Sequence, residues 1–185
     1  MTDTTLQDNL RFFRALLARP RKVGAFAPSG PHLARAMAAQ IEVEGPVLEL
    51  GPGSGSLTGA ILQRVPASQF TAIEYDNDLC LLLKTRFHGA NIIHGDAFNL
   101  EHTLGHAEPF AAIISGLPLL NFPMAERQRL METAMARLLP GGVFAQFSYG
   151  LKPSVPAPEG CTVTRAAMVW ANVPPARVWV YKKAA

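Results

Sequence analysis

The sequence predicts one α/β domain built on a mostly parallel, seven-stranded sheet with helices on both faces and a C-terminal antiparallel hairpin. Three observations carry this expectation. The chain has 185 residues and a mass of 20.0 kDa, the size of one compact domain. From residue 47 onward, short apolar runs alternate with helical patterns, and four β-to-α connections in series require parallel strands joined by crossovers. The last third loses helical periodicity and alternates around Pro174-Pro175. With 49% hydrophobic and 17% charged residues the chain can bury a full core, which excludes disorder, and no internal repeat is visible.

The elements follow in order. Thr4-Thr5-Leu6-Gln7 has the form of a capping box, and Leu6, Leu10, Phe13 and Leu17 recur at helical spacing with Phe12 and Leu16 beside them. That helix ends near Arg19-Pro20, with Gln7, Asp8, Arg11 and Arg14 on its other side. A loop over 20–30 precedes a helix through Leu33 to Ile41, and Val47 to Leu50 reads as a short buried strand. Leu57 to Val65 is a helix stopped by Pro66, Phe70 to Glu74 a strand, Asp78 to Phe87 a helix and Asn91 to His94 a strand. Phe98 to Pro109 is unassigned. Ala111 to Ser115 is a strand, Met124 to Leu138 a helix ended by Pro140-Gly141-Gly142, and Val143 to Phe147 the fifth strand. Three prolines in Lys152 to Gly160 exclude a helix, and residues 161–170 and 176–182 form the closing pair.

Charge is unevenly spread. Residues 1–22 hold five Lys/Arg against two Asp, whereas the remaining residues hold twelve of each, so the net charge of +3 sits at the N-terminus. A neutral domain with a basic arm suits an anionic surface, either membrane or nucleic acid. The longest apolar stretch, Phe110 to Leu120, is far shorter than the ~20 residues that span a bilayer, and the polar opening lacks a signal peptide's apolar core, so a cytoplasmic location is expected. Cys80 and Cys161 stand alone, without C-x-x-C or clustered His; both read as core residues, and no metal is expected.

Glu49-Leu50-Gly51-Pro52-Gly53-Ser54-Gly55 follows the first strand and opens a helix, so its glycines let backbone approach a ligand. It ends without the Gly-Lys-Ser/Thr of a phosphate loop, and Ser56 stands where a dinucleotide loop needs its third glycine. A carboxylate at Glu49 repels pyrophosphate and attracts a cation. S-adenosylmethionine has a sulfonium, an ammonium and no phosphate. In an open α/β sheet ligands lie beyond the carboxyl ends of the strands, and Glu49, Glu74, Asp96 and Ser115 fall at four successive ends. Glu74 suits the ribose hydroxyls and Asp96 the adenine amino group.

With those residues in view, the chain resembles the class I S-adenosylmethionine-dependent methyltransferases, which implies a Rossmann-like fold over residues 23–185. Val23-Gly24-Ala25-Phe26-Ala27-Pro28-Ser29, Ser115-Gly116-Leu117-Pro118-Leu119-Leu120 and Gln146-Phe147-Ser148-Tyr149-Gly150 are similar to segments of the bacterial phospholipid N-methyltransferases that act on phosphatidylethanolamine. The resemblance implies a cofactor site at Ser29, Glu49, Gly51, Gly53, Gly55, Glu74, Tyr75, Asp96, Ala97 and Ser115, with Ser115 to Leu119 as the motif that meets the acceptor. The rRNA adenine dimethyltransferases have a similar cofactor half, but their Asn-Leu-Pro-aromatic motif would need Asn and an aromatic where this chain has Gly116 and Leu119.

The expected chemistry is methyl transfer to the amine of phosphatidylethanolamine and its methylated forms, stepwise toward phosphatidylcholine. Tyr149 and Ser115 are the expected catalytic residues, Tyr149 to orient the amine or relay its proton. The carbonyls of residues 115–117 are further acceptors for it. His94 and His106 rank below Tyr149 as bases, and Glu126, Arg127 and Arg129 read as a solvated helix face. Residues 1–22 would lie on the anionic inner face of the cell membrane as a peripheral arm, Phe12, Phe13, Leu16 and Leu17 inward and the basic residues toward phosphates. No nucleic acid is expected as a partner. An RNA adenine methyltransferase and a non-catalytic cofactor-binding protein are the alternatives.

Overall fold

The computed structural model describes residues 30–106, 108–172 and 174–183. The expected amphipathic arm over 1–22 and the segment ending in Ser29 lie outside the described residues. The elements are α1 (Pro31–Ala38), β1 (Val47–Leu50), α2 (Ser56–Ile61), β2 (Phe70–Glu74), α3 (Asn77–Arg86), β3 (Asn91–His94), α4 (Leu100–Leu104), β4 (Phe110–Ser115), α5 (Met124–Ala136), β5 (Leu138–Ser148), β6 (Cys161–Val169) and β7 (Ala176–Lys183).

These strands form one seven-stranded sheet in the order β3-β2-β1-β4-β5-β7-β6. The first five are parallel, while β7 runs antiparallel to both β5 and β6. Every residue of β1 and β4 is buried, as expected of central parallel strands covered on both faces. On one face, Val47, Ala72, Ala112 and Ala145 pack with Leu33 and Met37 of α1, Leu57 and Ile61 of α2, and Leu83 of α3. On the other, Leu48, Ile73, Ile113 and Phe144 pack with Leu100 of α4 and Leu130, Met131 and Met135 of α5. Successive strand residues thus feed opposite layers, the period of two that the pleat imposes.

The strand order turns at β1 and β4, and ligands of such sheets lie at the carboxyl ends there. The antiparallel β7 starts beside Ser148, so the β6–β7 turn rises at that same end.

Several boundaries depart from the sequence expectation: α1 stops at Ala38, short of Ile41, with the Gln40 and Ile41 amides donating back to the Met37 and Ala38 carbonyls as turns, and β4 starts one residue early at Phe110. The regular part of α2 stops at Ile61, with Arg64 and Val65 donating back to the Ile61 carbonyl as turns before Pro66. Helix α3 starts at Asn77 because the Asp76 carboxylate caps it, accepting from the Asp78 and Leu79 amides at 2.9 and 3.1 Å. The unassigned segment contains the short α4. Helix α5 ends at Ala136, and Pro140-Gly141-Gly142 belongs to β5 instead of stopping the helix. There the register with β4 jumps from Phe110↔Leu138 to Ala112↔Val143, a bulge that needs Gly141 at φ +77°. Cys80 is core, but Cys161 is only half-buried at the start of β6. Among the described residues no helix is long and apolar enough to cross a membrane.

Tyr181 on β7 is fully buried, edge-on to Phe144 at 5.8 Å, and its hydroxyl donates to the buried Val155 carbonyl at 2.6 Å. This bond pins the segment after β5 to the sheet. Tyr181→Phe strands that carbonyl and should cost about 1–3 kcal/mol, read as a Tm lower by several degrees in a thermal melt; an unchanged Tm would show that the bond contributes nothing net.

Candidate active site

The site is built where β1, β2 and β4 end. Gly51, Gly53 and Gly55 all adopt positive φ (68°, 55° and 81°), so the β1–α2 loop coils in a conformation open chiefly to glycine. A Cβ on Gly51 or Gly55 would strike Leu117, or Phe87 and Leu83, whereas one on Gly53 would meet nothing within 4 Å. Gly53 therefore borders open space. Its amide donates to Glu74 Oε2 at 2.9 Å, and the Asp76 amide donates to Glu74 Oε1 at 2.9 Å, so each oxygen of the carboxylate accepts from the backbone.

Glu49 lies with no exposure at the end of β1. Its Oε2 accepts from Thr58 Oγ1 at 2.7 Å, and its Oε1 is buried with no partner. Burial pushes its carboxyl up to about 8; the Thr58 bond opposes this and the nearby Glu74 charge adds to it. Glu74 is raised as well, by burial above all, against the Asp76 and Gly53 amides, and Asp96 by burial against the Phe98 amide. Among the described residues no Lys or Arg stands against any of these three acids. Burial penalises ionisation of all three acids, a cost that a bound cation would relieve.

Asp96 Oδ1 accepts from the Phe98 amide at 2.8 Å and turns the loop after β3. Ala97 is buried in the core and Tyr75 is half-buried, its carbonyl meeting His94 Nε2 at 3.0 Å. That contact occupies a nitrogen of the ring considered as a base, and His106 is exposed. Ser115 is fully buried, and its Oγ accepts from the Leu117 amide at a long 3.4 Å. Tyr149, just past β5, lies edge-on to Phe147 with ring centroids 5.6 Å apart. A recess of about 580 Å³ between Ile41–Gly45 and Gln63–Gln69 opens at the opposite, amino end of the strands, away from these groups.

Three features escaped the sequence reading. Thr58 shares the inward face of α2 with Leu57 and Ile61, a spacing that could have flagged a polar group aimed at the core. Gln146, fully buried and opposite Ser115 in register, donates Nε2 to the carbonyls of Leu117 and Phe147, each at 2.8 Å. The Leu117 carbonyl also accepts from the Leu119 amide at 2.9 Å, so both of its lone pairs are filled and it drops out as an acceptor for a substrate amine. Arg127 is no solvated charge: half-buried, it donates to the Ser154 carbonyl at 2.8 Å and ties α5 to the loop after β5.

Residues 47–142 match the model of the methyltransferase domain family. The chain belongs to that family. This methyltransferase is 31% identical over 151 residues to an ornithine lipid N-methyltransferase of Singulisphaera acidiphila, covering 77% of this chain and 79% of the relative. A ribosomal RNA small subunit methyltransferase A of Erythrobacter litoralis is 41% identical over 76 residues, 39% of this chain but 26% of that protein. Among solved structures, the glycopeptide N-methyltransferase MtfA, complexed with sinefungin, is similar in fold, with a TM-score of 0.61 at 18% identity over 85% of this chain and 95% of that one. Family and fold together make the chain a class I S-adenosylmethionine-dependent methyltransferase.

The glycine at 116 separates this methyltransferase from an Asn-bearing motif physically. A Cβ there would fall 2.7 Å from the Gly51 carbonyl, a backbone atom that cannot swing aside. Glu49 gives a pH signature. It titrates at an ordinary 4.5 when unfolded and near 8 in the fold, so between those values the folded state holds a proton that the unfolded chain has lost. Stability therefore declines as pH rises from about 4.5 to about 8 and levels off above. Denaturant titrations across that range should show Glu49→Gln lacking this part of the decline and exceeding wild type in relative stability at alkaline pH; parallel profiles would refute the assignment.

Proposed function

We propose that this methyltransferase transfers methyl groups to a lipid amine at a membrane surface, converting phosphatidylethanolamine stepwise toward phosphatidylcholine. The observation that carries the lipid acceptor is the likeness to a lipid N-methyltransferase along about four fifths of that protein. It favours a second acceptor too, the amine of an ornithine lipid. The RNA reading is supported over only a quarter of its relative, and Gly116 leaves no room for the amide side chain that such a motif carries.

The donor half fits the residues present. The orphaned Oε1 of Glu49 and the open space beside Gly53 suit a cationic ligand with hydroxyl groups. We assign Glu49 to the ammonium, the second lone pairs of Glu74 to the ribose hydroxyls, and Asp96 to the adenine amino group, with Gly51, Gly53, Gly55, Tyr75, Ala97 and Ser29 completing the wall. When bound, S-adenosylmethionine supplies a methyl group on a cationic sulfur, open to in-line attack by a neutral nucleophile.

On the acceptor side the protein's task is to hold a deprotonated amine still and dry. Burial of the ammonium in the mouth lowers its pKa. Ser115 and the carbonyls of residues 115 and 116 take its N–H groups in this assignment, and Tyr149 orients it or passes its proton outward. Gln146 is a positioning residue that fixes the Leu117–Pro118 turn from below. Residues 1–22 would bring the enzyme to the inner face of the cell membrane as a peripheral protein, with residues 23–185 as the methyltransferase domain.

Incubation with methyl-labelled S-adenosylmethionine and, separately, phosphatidylethanolamine vesicles, ornithine lipid vesicles or rRNA tests the reading. Label should enter a lipid amine; label in RNA alone, or nowhere, would overturn it. Tyr149→Phe should lower kcat by about a hundredfold or more while calorimetry finds cofactor affinity little changed; a wild-type rate would show the hydroxyl to be dispensable.

A further inference from the structure

Six large apolar side chains stand exposed among the described residues, and four of them, Leu120, Met124, Leu151 and Trp170, lie at one end of the sheet. Leu120 belongs to the turn after β4, Met124 opens α5, Leu151 follows β5, and Trp170 follows β6, whose carboxyl end rises beside the start of β7. Leu151 and Trp170 are the most open, at 79% and 74% exposure. Exposing these side chains to water is unfavourable, and apolar side chains at one end of the fold that no other described residue covers mark a surface that meets something apolar.

The three loops are joined. A Cβ on Gly150 would lie 3.9 Å from Leu120 Cδ1, so the turns after β4 and β5 touch. Arg177, opposite Ser148 in register, reaches the carbonyls of Tyr149 and Gly150 at 3.4 Å each and links that loop to the β6–β7 turn. Trp170 rides on a braced turn: the buried Asn172 donates to the Pro174 carbonyl at 2.9 Å and accepts from the Gly30 amide at 3.4 Å.

We propose that Leu120, Met124, Leu151 and Trp170 form an apolar rim that seats the mouth of the active site in a lipid surface. This rests on the lipid-amine reading given above. A headgroup amine can reach Ser115 and Tyr149 without its acyl chains leaving the bilayer only if the carboxyl end of the sheet faces the membrane. Whatever rings the mouth is then pressed into the interface, where Leu enters the acyl boundary and Trp settles at the headgroup level. Lys152, exposed beside Leu151, sits at the height of the phosphates. Side chains spread over the tips of separate loops suit a deformable lipid phase better than a protein partner, which needs a continuous complementary patch of about 800 Å².

The sequence has two tryptophans, and Trp179 is tied to Ser148 Oγ inside the fold, which leaves Trp170 as the reporter. The full-length protein is titrated with vesicles of phosphatidylethanolamine and phosphatidylglycerol while tryptophan emission is followed. A blue shift, and quenching by acyl chains brominated near the headgroup, are expected in wild type and should vanish in Trp170→Phe. The double variant Leu151→Ser with Trp170→Ser should bind vesicles about tenfold more weakly while keeping its cofactor affinity. Silent emission with protein that still sediments with vesicles, absence of vesicle binding, or a concentration-dependent blue shift without lipid would each overturn the rim, the last by showing that a second copy covers it. Methyl transfer to a short-chain lipid amine in detergent, measured in parallel, separates the two ideas: labelled lipid with a silent rim defeats only the rim, and a responding rim with unlabelled lipid defeats only the acceptor.

Discussion

A carboxyl group sealed between the first strand and the helix after it governs the geometry of the whole site. Glu49 cannot be solvated, so one oxygen is given to Thr58, and this bond fixes how α2 sits on β1. The intervening loop must then reverse within a few residues, which demands glycines of positive φ. Their tight coil delivers the Gly53 amide to Glu74 and brings the Gly51 carbonyl against Gly116. The ends of β1, β2 and β4 are thereby locked to one another through polar contacts, and the second Glu49 oxygen is left over as a site of latent charge.

This arrangement explains why a fold used for many reactions is specialised here by sign of charge. Three acids share the mouth, all held above their ordinary range by burial, with backbone amides and one hydroxyl as their only described donors. Such a cluster is poised for a cation and hostile to phosphate. The recess at the opposite end of the strands is lined by Glu42, Glu44 and Arg64, all exposed, and has no comparable concentration of buried ionisable groups.

Much of this was legible in the sequence because its signals were local. The strands Val47–Leu50, Phe70–Glu74 and Asn91–His94 coincide with the observed ones, each being a short apolar run bounded by turn residues. Pro140-Gly141-Gly142 misled because a helix stop and a strand bulge use the same residues, and only pairing with β4 distinguishes them. Glu49, Glu74 and Asp96 are expected from their places at strand ends, and the structure puts their carboxyl groups at those ends. Gln146 and Arg127 are not expected, since their partners, the Leu117 and Ser154 carbonyls, lie 29 and 27 residues away and become neighbours only through the sheet. The filling of the Leu117 carbonyl is likewise a product of tertiary geometry, invisible in a motif read as a string.

The contact between positions 51 and 116 ties two segments that a sequence comparison treats as separate modules. Because backbone meets backbone there, neither loop can be exchanged with a distant relative's while the other stays fixed. Drift toward a different acceptor would have to pass through paired changes, first opening the coil below and then enlarging the turn above. Lineages of this kind should inherit the two loops together, as one unit of divergence.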